Sequence, residues 1–249
     1  MPQRFVRGQI VLQQITDQQA LIKTIESLRA ALFACAREAY PSIYQRGGGL
    51  QEIQLRAVGS SFVSVDFLVD TKDAMGANLL NTMLEALVKI SVLESGLNSI
   101  KPKSQNIGNL LCEVSQELLP LAEKKGIAIQ YKKKKIQAVF DYPWTLVAIS
   151  NILENAIKYS KENSMVKVNV MQYDMYAKID ITDNGIGIDY TETEAIFKKF
   201  YRTKEAKEKE GLGIGLYIAR HIIREQCGYI KVSSIVGKGT MFSVFLPRV

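Results

Sequence analysis

Glycine recurs at alternate positions in three places toward the C-terminus: Gly185 and Gly187 in DITDNGIGID, Gly211, Gly213 and Gly215 in EGLGIGL, and Gly237 and Gly239 in GKGTMFSVFLP. Such spacing suits neither a helix interior nor a strand interior, because glycine loses the most backbone freedom on ordering. It marks points where the chain turns or where backbone must approach something closely. The first group follows the alternating stretch AKIDITDN, the second immediately precedes a helical pattern, and the third turns into a final strand. Strand, loop, helix and two further strands are therefore expected in that order.

The segments before these groups fit the same plan. A helix, IGNLLCEVSQELLPLAEKKG, leads to the strand patterns IAIQY and IQAVF, then to a helix in PWTLVAISNILENAIKYS and a strand in MVKVNVMQY. Helices interspersed with an alternating sheet predict an α/β sandwich with helices on one face. The first third reads mostly as helix. Leu21, Ile25, Leu28, Leu32 and Cys35 share one face of Asp17–Tyr40, where Asp17 can cap the start and Pro41 and Gly47–Gly49 end the run. A second stripe, Leu80, Met83, Leu84, Leu87, Ile90 and Leu93, runs to a C-capping Gly96. The stretch between them alternates like a strand in places and equally extends the second helix backward. The expectation is an α+β chain: an N-terminal helical hairpin over residues 1–102, able to pair with a second copy as a four-helix homodimer, then an α/β sandwich over residues 103–249.

Composition excludes several classes. No apolar run approaches the ~20 residues of a membrane span, and the N-terminal MPQRFVRGQIVLQQ lacks a signal-peptide core. A cytoplasmic protein is expected. The net charge of +7 invites a nucleic-acid partner, but the lysines of 198–209 alternate with glutamates, and YKKKK lies between two strand patterns as a hairpin turn would. No nucleic acid is expected. Cys35, Cys112 and Cys227 are far apart and form no CxxC pair, so neither zinc nor a disulfide framework follows.

Four segments can carry chemistry. In NILENAIKYS, Asn151 and Asn155 lie on one helix face, and an amide oxygen suits Mg²⁺, which prefers oxygen ligands and retains several waters. Lys158 lies near that face and can reach a phosphate. Asp183 ends a strand, where a carboxylate can accept a hydrogen bond from an exocyclic amine such as that of adenine. Gly211, Gly213 and Gly215 precede a helix whose exposed N–H groups suit a phosphate, though the spacing is neither the Rossmann nor the P-loop pattern. The charged YRTKEAKEKE before them reads as a lid with Arg202 and Lys204 as phosphate contacts. Thr240 offers a hydroxyl beside the last turn. Taken singly, each segment reads equally as a polar helix stripe, an Asp-Asn-Gly turn or a solvated loop.

Together, in this order, they resemble the ATP-binding domain of sensor histidine kinases, within the gyrase, Hsp90, histidine kinase and MutL superfamily. The resemblance covers residues from about 105 to 249 and implies a Bergerat-type fold with ATP and Mg²⁺ as cofactors. It implies Asn155 as the Mg²⁺ ligand with Asn151 in support. Lys158 and Tyr159 would contact phosphate and the nucleotide wall, and Asp183 the adenine amine. Gly185, Gly187, Gly211, Leu212, Gly213, Gly215 and Leu216 would border the nucleotide. Leu212 stands where the family commonly has threonine, which removes a hydroxyl and keeps the backbone donors.

LVKISVLESGLNSIKPKSQNIGNLL resembles the second dimerisation helix of the same family and its exit. The first helix departs from the pattern, because the family carries a phosphoacceptor histidine there and the lone histidine of this chain is His221. Alignment on Pro41 places Ala36 at the acceptor position, and counting back from LESG places Tyr40 near it. The resemblance thus implies a degenerate kinase that binds ATP and works by conformation or by pairing with a partner kinase. It equally allows a kinase with an unusual acceptor or one acting on a partner, and an ATP-gated module docking a response regulator. A serine-kinase anti-sigma-like protein is a more distant alternative. His221 itself reads as a half-buried or surface residue of the helix after Gly215.

Overall fold

The computed structural model describes residues 4–12, 17–27, 29–39, 41–72, 100–203, 205–208 and 213–248. The chain divides into two compact units, Met1–Gly96 and Leu97–Val249.

The first unit is built on three strands, β1 (Phe5–Leu12), β2 (Gly49–Val58) and β3 (Phe62–Asp70), with α1 (Gln18–Ser27), α2 (Arg29–Ala39) and α3 (Pro41–Gln45) between β1 and β2. The sheet order is β1-β3-β2, antiparallel throughout. The expected helical run begins as read: Asp17 caps it, its Oδ1 accepting from the Ala20 N–H at 2.9 Å. It is divided into α1 and α2, and Pro41 opens α3 as well as closing the run. Proline suits a first helical position, where its missing N–H removes no helical bond.

The stretch left open between strand and helix is the β2–β3 hairpin over 49–70. Val63, Val65, Phe67 and Val69 are all buried, and β-branched and aromatic residues at every second position fill one face of a pleated sheet. Leu32, Ala36, Ile43 and Ile53 are also buried in this unit. Gly49 has φ +106°, and a Cβ there would lie 2.4 Å from the Tyr44 ring, so no other residue fits the turn into β2. The strands β1–β3 are an addition to the helical expectation for this region. The second helix of the expected hairpin, Ala77–Gly96, lies outside the described residues, as does Tyr40.

The second unit begins with β4 (Lys103–Asn106), α4 (Ile107–Glu117), α5 (Leu119–Glu123), β5 (Ala128–Tyr131) and β6 (Gln137–Phe140). It continues through α6 (Tyr142–Tyr159), β7 (Met165–Gln172), β8 (Tyr176–Thr182), α7 (Gly215–Glu225), β9 (Tyr229–Ile235) and β10 (Gly239–Pro247). Asn106 caps α4 through the Gly108 N–H at 2.8 Å, and Asp141 caps α6 through the Trp144 N–H at 3.2 Å.

The main sheet runs β5-β7-β8-β10-β9; β5 is parallel to β7 and the other pairs are antiparallel. Alternation decides which face is covered. Val166, Val168, Val170, Ala177, Ile179, Ile181, Phe242, Val244 and Leu246 are buried with Ile149, Ile152, Leu153 and Ile157 of α6 and Ile218, Ile222 and Ile223 of α7. This is the expected α/β sandwich with its helices on one face.

One local expectation fails. The lysine run 132–135 is exposed, yet it is no hairpin turn, because β5 pairs with β7 and β6 pairs with β4 in a separate two-stranded ribbon. Two short alternating strands close in sequence look like a hairpin, but strand pairing is chosen by the surfaces available elsewhere in the fold.

Candidate functional site

The site grows from the end of β8. Asp183 is 5% exposed, and its Oδ1 accepts from the N–H groups of Gly185 at 2.8 Å and Thr240 at 3.2 Å. The Asp183 N–H in turn donates to the Thr240 carbonyl at 2.9 Å. The carboxyl is thus clamped between the DNGIG turn and the start of β10. Burial raises its pKa above the ordinary carboxylate value, while the two backbone donors pull in the opposite direction. A buried carboxyl on a strand end, oriented by backbone alone, is suited to accept from one polar ligand group.

The glycines around it are set by contact. A Cβ at Gly239 (φ +115°) would lie 2.1 Å from the Asp183 carbonyl, and one at Gly185 would lie 2.3 Å from the Tyr159 carbonyl. Gly185 also bridges Ser160 at the end of α6. The sequence pattern thus has a physical cause: the DNGIG turn lies directly against both the last turn of α6 and the GKGT turn. Gly187, at φ +72°, runs against the Ile235 carbonyl. Ser234 ties this corner together, its Oγ accepting from the Ile188 N–H at 2.8 Å and lying 3.0 Å from the Gly239 carbonyl. Thr240 is buried with its Oγ1 2.9 Å from Ser234 Oγ.

On α6, Asn151 and Asn155 share a face as the spacing predicts. Asn151 Nδ2 donates to the Val147 carbonyl at 2.8 Å, and its Oδ1 lies 2.7 Å from where a Gly215 Cβ would stand. Gly215 therefore lets the start of α7 meet the asparagine helix. Asn155 is half-buried and makes no side-chain hydrogen bond among the described residues.

Lys158 Nζ stands 5.3 Å from the centre of the Tyr159 ring. Burial raises the Tyr159 pKa, and the Arg202 guanidinium counteracts it, which brings Arg202 to the same wall. Arg202 also donates to the Ala206 carbonyl. Gly213, at φ +69°, lies against the Tyr201 carbonyl. The helix α7 opens at Gly215 with no side-chain cap among the described residues. Leu216 is half-buried beside Gly215. Lys204, Gly211 and Leu212 lie outside the described residues.

Sequence reasoning missed Ser234, Ser160 and Gln226. Gln226 is buried; its Oε1 accepts from the Asp141 N–H at 2.5 Å, and its Nε2 donates to the Ile222 carbonyl at 3.0 Å. It joins the end of α7 to the start of α6. A lone glutamine just past a helix end carries no spacing signal that would have found it. His221 is half-buried and stacks on Tyr217 with ring centres 5.7 Å apart.

Residues 141–249 match the family model of histidine kinase-, DNA gyrase B- and HSP90-like ATPases. This stretch is a histidine-kinase-like ATPase domain. The match begins at the Asp141 cap of α6 and takes in every site segment described above. Residues 1–138 match a second family model, hydroxymethylglutaryl-coenzyme A reductase, so the N-terminal part belongs to that family. The reductase match overruns the first unit, since residues 103–138 supply β4, α4, α5, β5 and the first half of β6 to the second.

Among similar proteins, the adaptive-response sensory kinase SasA of Synechococcus sp. (strain JA-3-3Ab) is 33% identical over 169 residues, 63% of this chain and 44% of that protein. The sensor protein kinase PmrB of Pseudomonas aeruginosa is 27% identical over 170 residues, 68% of this chain and 36% of that protein. The chain thus spans less than half the length of either relative. The mycobacterial sensor histidine kinase MprB shares the fold with a TM-score of 0.52 at 24% identity, over 59% of this chain and 97% of that one. The second unit is a histidine-kinase-like ATPase domain of the kind found in two-component sensor kinases. No helix among the described residues is long and apolar enough to cross a membrane.

Proposed function

We propose that the second unit binds ATP with Mg²⁺ and uses it in two-component-type signalling without a phosphoacceptor histidine on the N-terminal helices. The observation that carries this reading is Asp183, a buried carboxyl held only by backbone donors at the mouth of two glycine turns. Its acceptor oxygen suits the exocyclic amine of adenine. Lys158, Tyr159 and Arg202 supply the wall and the positive charge, and the start of α7 supplies N–H groups to phosphate. Gly185, Gly187, Gly213 and Gly215 are the backbone border of the site, to which the sequence adds Gly211 and Leu212, and Lys204 is assigned to its lid by sequence.

Among the described residues no cluster of three His, Cys, Asp or Glu could hold a metal by protein ligands alone. That fits Mg²⁺, which takes one or two protein oxygens and fills its remaining positions with water and phosphate. Asn155 would hold it and Asn151 would support it; the ion would neutralise phosphate charge. The residues around it orient the nucleotide and exclude water from the adenine end.

No histidine precedes His221 in the sequence, and Ala36, one of the two positions aligned with the acceptor, is fully buried. At the other position, Tyr40, a phosphoester is too stable for easy relay, so any phosphoryl group leaving ATP is assigned to a partner such as a response regulator or a second kinase. The family match of residues 1–138 and the sheet β1–β3 favour a role for the N-terminal part other than the helical dimerisation expected from its sequence. Calorimetry of ATP binding with and without Mg²⁺, on the wild type and Asn155→Ala, tests the site. The variant should lose the Mg²⁺-dependent part of the affinity, and an unchanged Mg²⁺ dependence overturns the assignment.

A further inference from the structure

The last carbonyls of a helix lack intrahelical partners and carry its negative end. At the end of α6 two of them, with the carbonyl of Ser160 just beyond, converge on one side chain from a different part of the chain. Lys125 Nζ donates to the carbonyls of Ile157 at 2.9 Å, Lys158 at 2.9 Å and Ser160 at 3.0 Å. The Tyr159 carbonyl, the one skipped, is the atom that lies against Gly185.

The backbone around Lys125 is tied to the same turn. Its carbonyl accepts from the Asn163 N–H at 3.0 Å, and the Ala128 N–H donates to the Ser164 carbonyl at 3.0 Å. Gly126, at φ +64°, turns the chain between these two contacts. Lys124, the preceding lysine, is exposed, whereas Lys125 is half-buried. An ammonium presents three donors and no acceptor, so this contact is a fit of number as well as charge.

We infer that Lys125 is a positioning residue of the nucleotide site: by gathering the carbonyls that end α6 it fixes Lys158 and Tyr159, and fixes the Tyr159 carbonyl against Gly185. This rests on the ATP reading for its consequence, though not for its geometry. The ammonium acts through α6 on the wall of the site and on the turn that carries Asp183. Its place is on the carbonyls, not on the phosphates.

The test uses the full chain with Lys125→Met, which keeps the apolar stem and removes the donors, and with Lys125→Arg, which restores charge and donors. Two readouts are taken under conditions where circular dichroism shows each variant folded: the ATP·Mg²⁺ dissociation constant, and amide hydrogen exchange at Ser160 and Gly185 without nucleotide. Lys125→Met should weaken ATP binding about tenfold and speed exchange at both amides by a similar factor, the scale of one charge-assisted hydrogen bond. Lys125→Arg should recover most of both.

A lowered melting temperature with unchanged affinity and unchanged exchange overturns the inference and leaves Lys125 as a plain helix cap. If the wild type binds no ATP while Lys125→Met still speeds exchange, the nucleotide reading fails and the mechanical half of the inference stands. Should Lys125→Met not fold, Lys125→Gln, which keeps two donors without the charge, is measured in its place against the same outcomes.

Discussion

Two buried carboxylates, Asp70 of the N-terminal unit and Asp183 of the C-terminal unit, are treated in opposite ways. In the N-terminal unit Asp70 is paired with Lys72 at 2.9 Å and Asp66 is paired with Arg56. The Lys72 ammonium and the backbone N–H groups of Lys72 and Arg4 hold the Asp70 carboxyl below its ordinary range. In the C-terminal unit Asp183 has no cationic partner among the described residues, and burial drives its carboxyl upward. The first arrangement spends its polar capacity inside the fold. The second leaves a carboxyl whose charged form is under-compensated, and a ligand donor can complete it. The contrast shows where to look for binding in a chain that joins a reductase-family segment to a kinase-type ATPase domain.

The comparison is most sharply broken by Gly239→Ala. The added Cβ would lie 2.1 Å from the Asp183 carbonyl at a backbone angle of φ +115°. Strain and clash together should cost the second unit about 4 kcal/mol. Thermal melting followed by calorimetry should show that loss in one transition, with the transition of the N-terminal unit unmoved.

Asp183→Asn comes next. The amide keeps an oxygen for Gly185 and Thr240 but removes the charge, so ATP affinity should fall roughly a hundredfold, about 3 kcal/mol. Stability should move the other way. A carboxyl whose folded pKa is raised costs the folded state nothing below its ordinary value. The cost grows as pH rises through the raised value and persists at neutral pH. The neutral variant escapes it and should melt no lower than the wild type at pH 7. Asp70 has the reverse sign, contributing stability that is present above its unfolded value and lost as pH falls through its folded one. Acidification should therefore weaken the N-terminal unit through Asp70 while relieving the second unit of the Asp183 penalty.

The smallest effect belongs to Ala36→His, which places an imidazole at one aligned acceptor position. Ala36 has no exposed surface, so overpacking should cost the N-terminal unit about 2 kcal/mol. The variant should take up no label from γ-labelled ATP and should bind ATP as the wild type does. Labelling at the new histidine would show that this position is reachable by a phosphate donor.

Much of the ATPase unit was legible in the sequence because its signals are local. The Asp141 to Tyr159 helix, the strand that ends at Asp183 and the helix from Gly215 each follow from periodicity within one segment. The three glycine groups marked real close approaches: Gly185 on α6, Gly239 on Asp183 and Gly215 on Asn151. The first unit was less legible. Helical periodicity in Asp17–Tyr40 was strong, but Phe5–Leu12 carries no comparable signal, and it becomes a strand because β3 offers it a partner from Val63 to Asp70.

The sequence by itself determined which residue types stand at the site, the order of the segments that carry them, and the absence of a histidine before His221. Tertiary structure alone decided that β5 and β6 part company into different sheets, that Gln226 reaches Asp141, and that Lys125 closes the end of α6. The reason is range. A cap or a turn is settled by neighbours within a few residues, whereas these contacts join groups 31 to 85 positions apart. Such a partner exists only once the sheet and helices have brought it within hydrogen-bond distance.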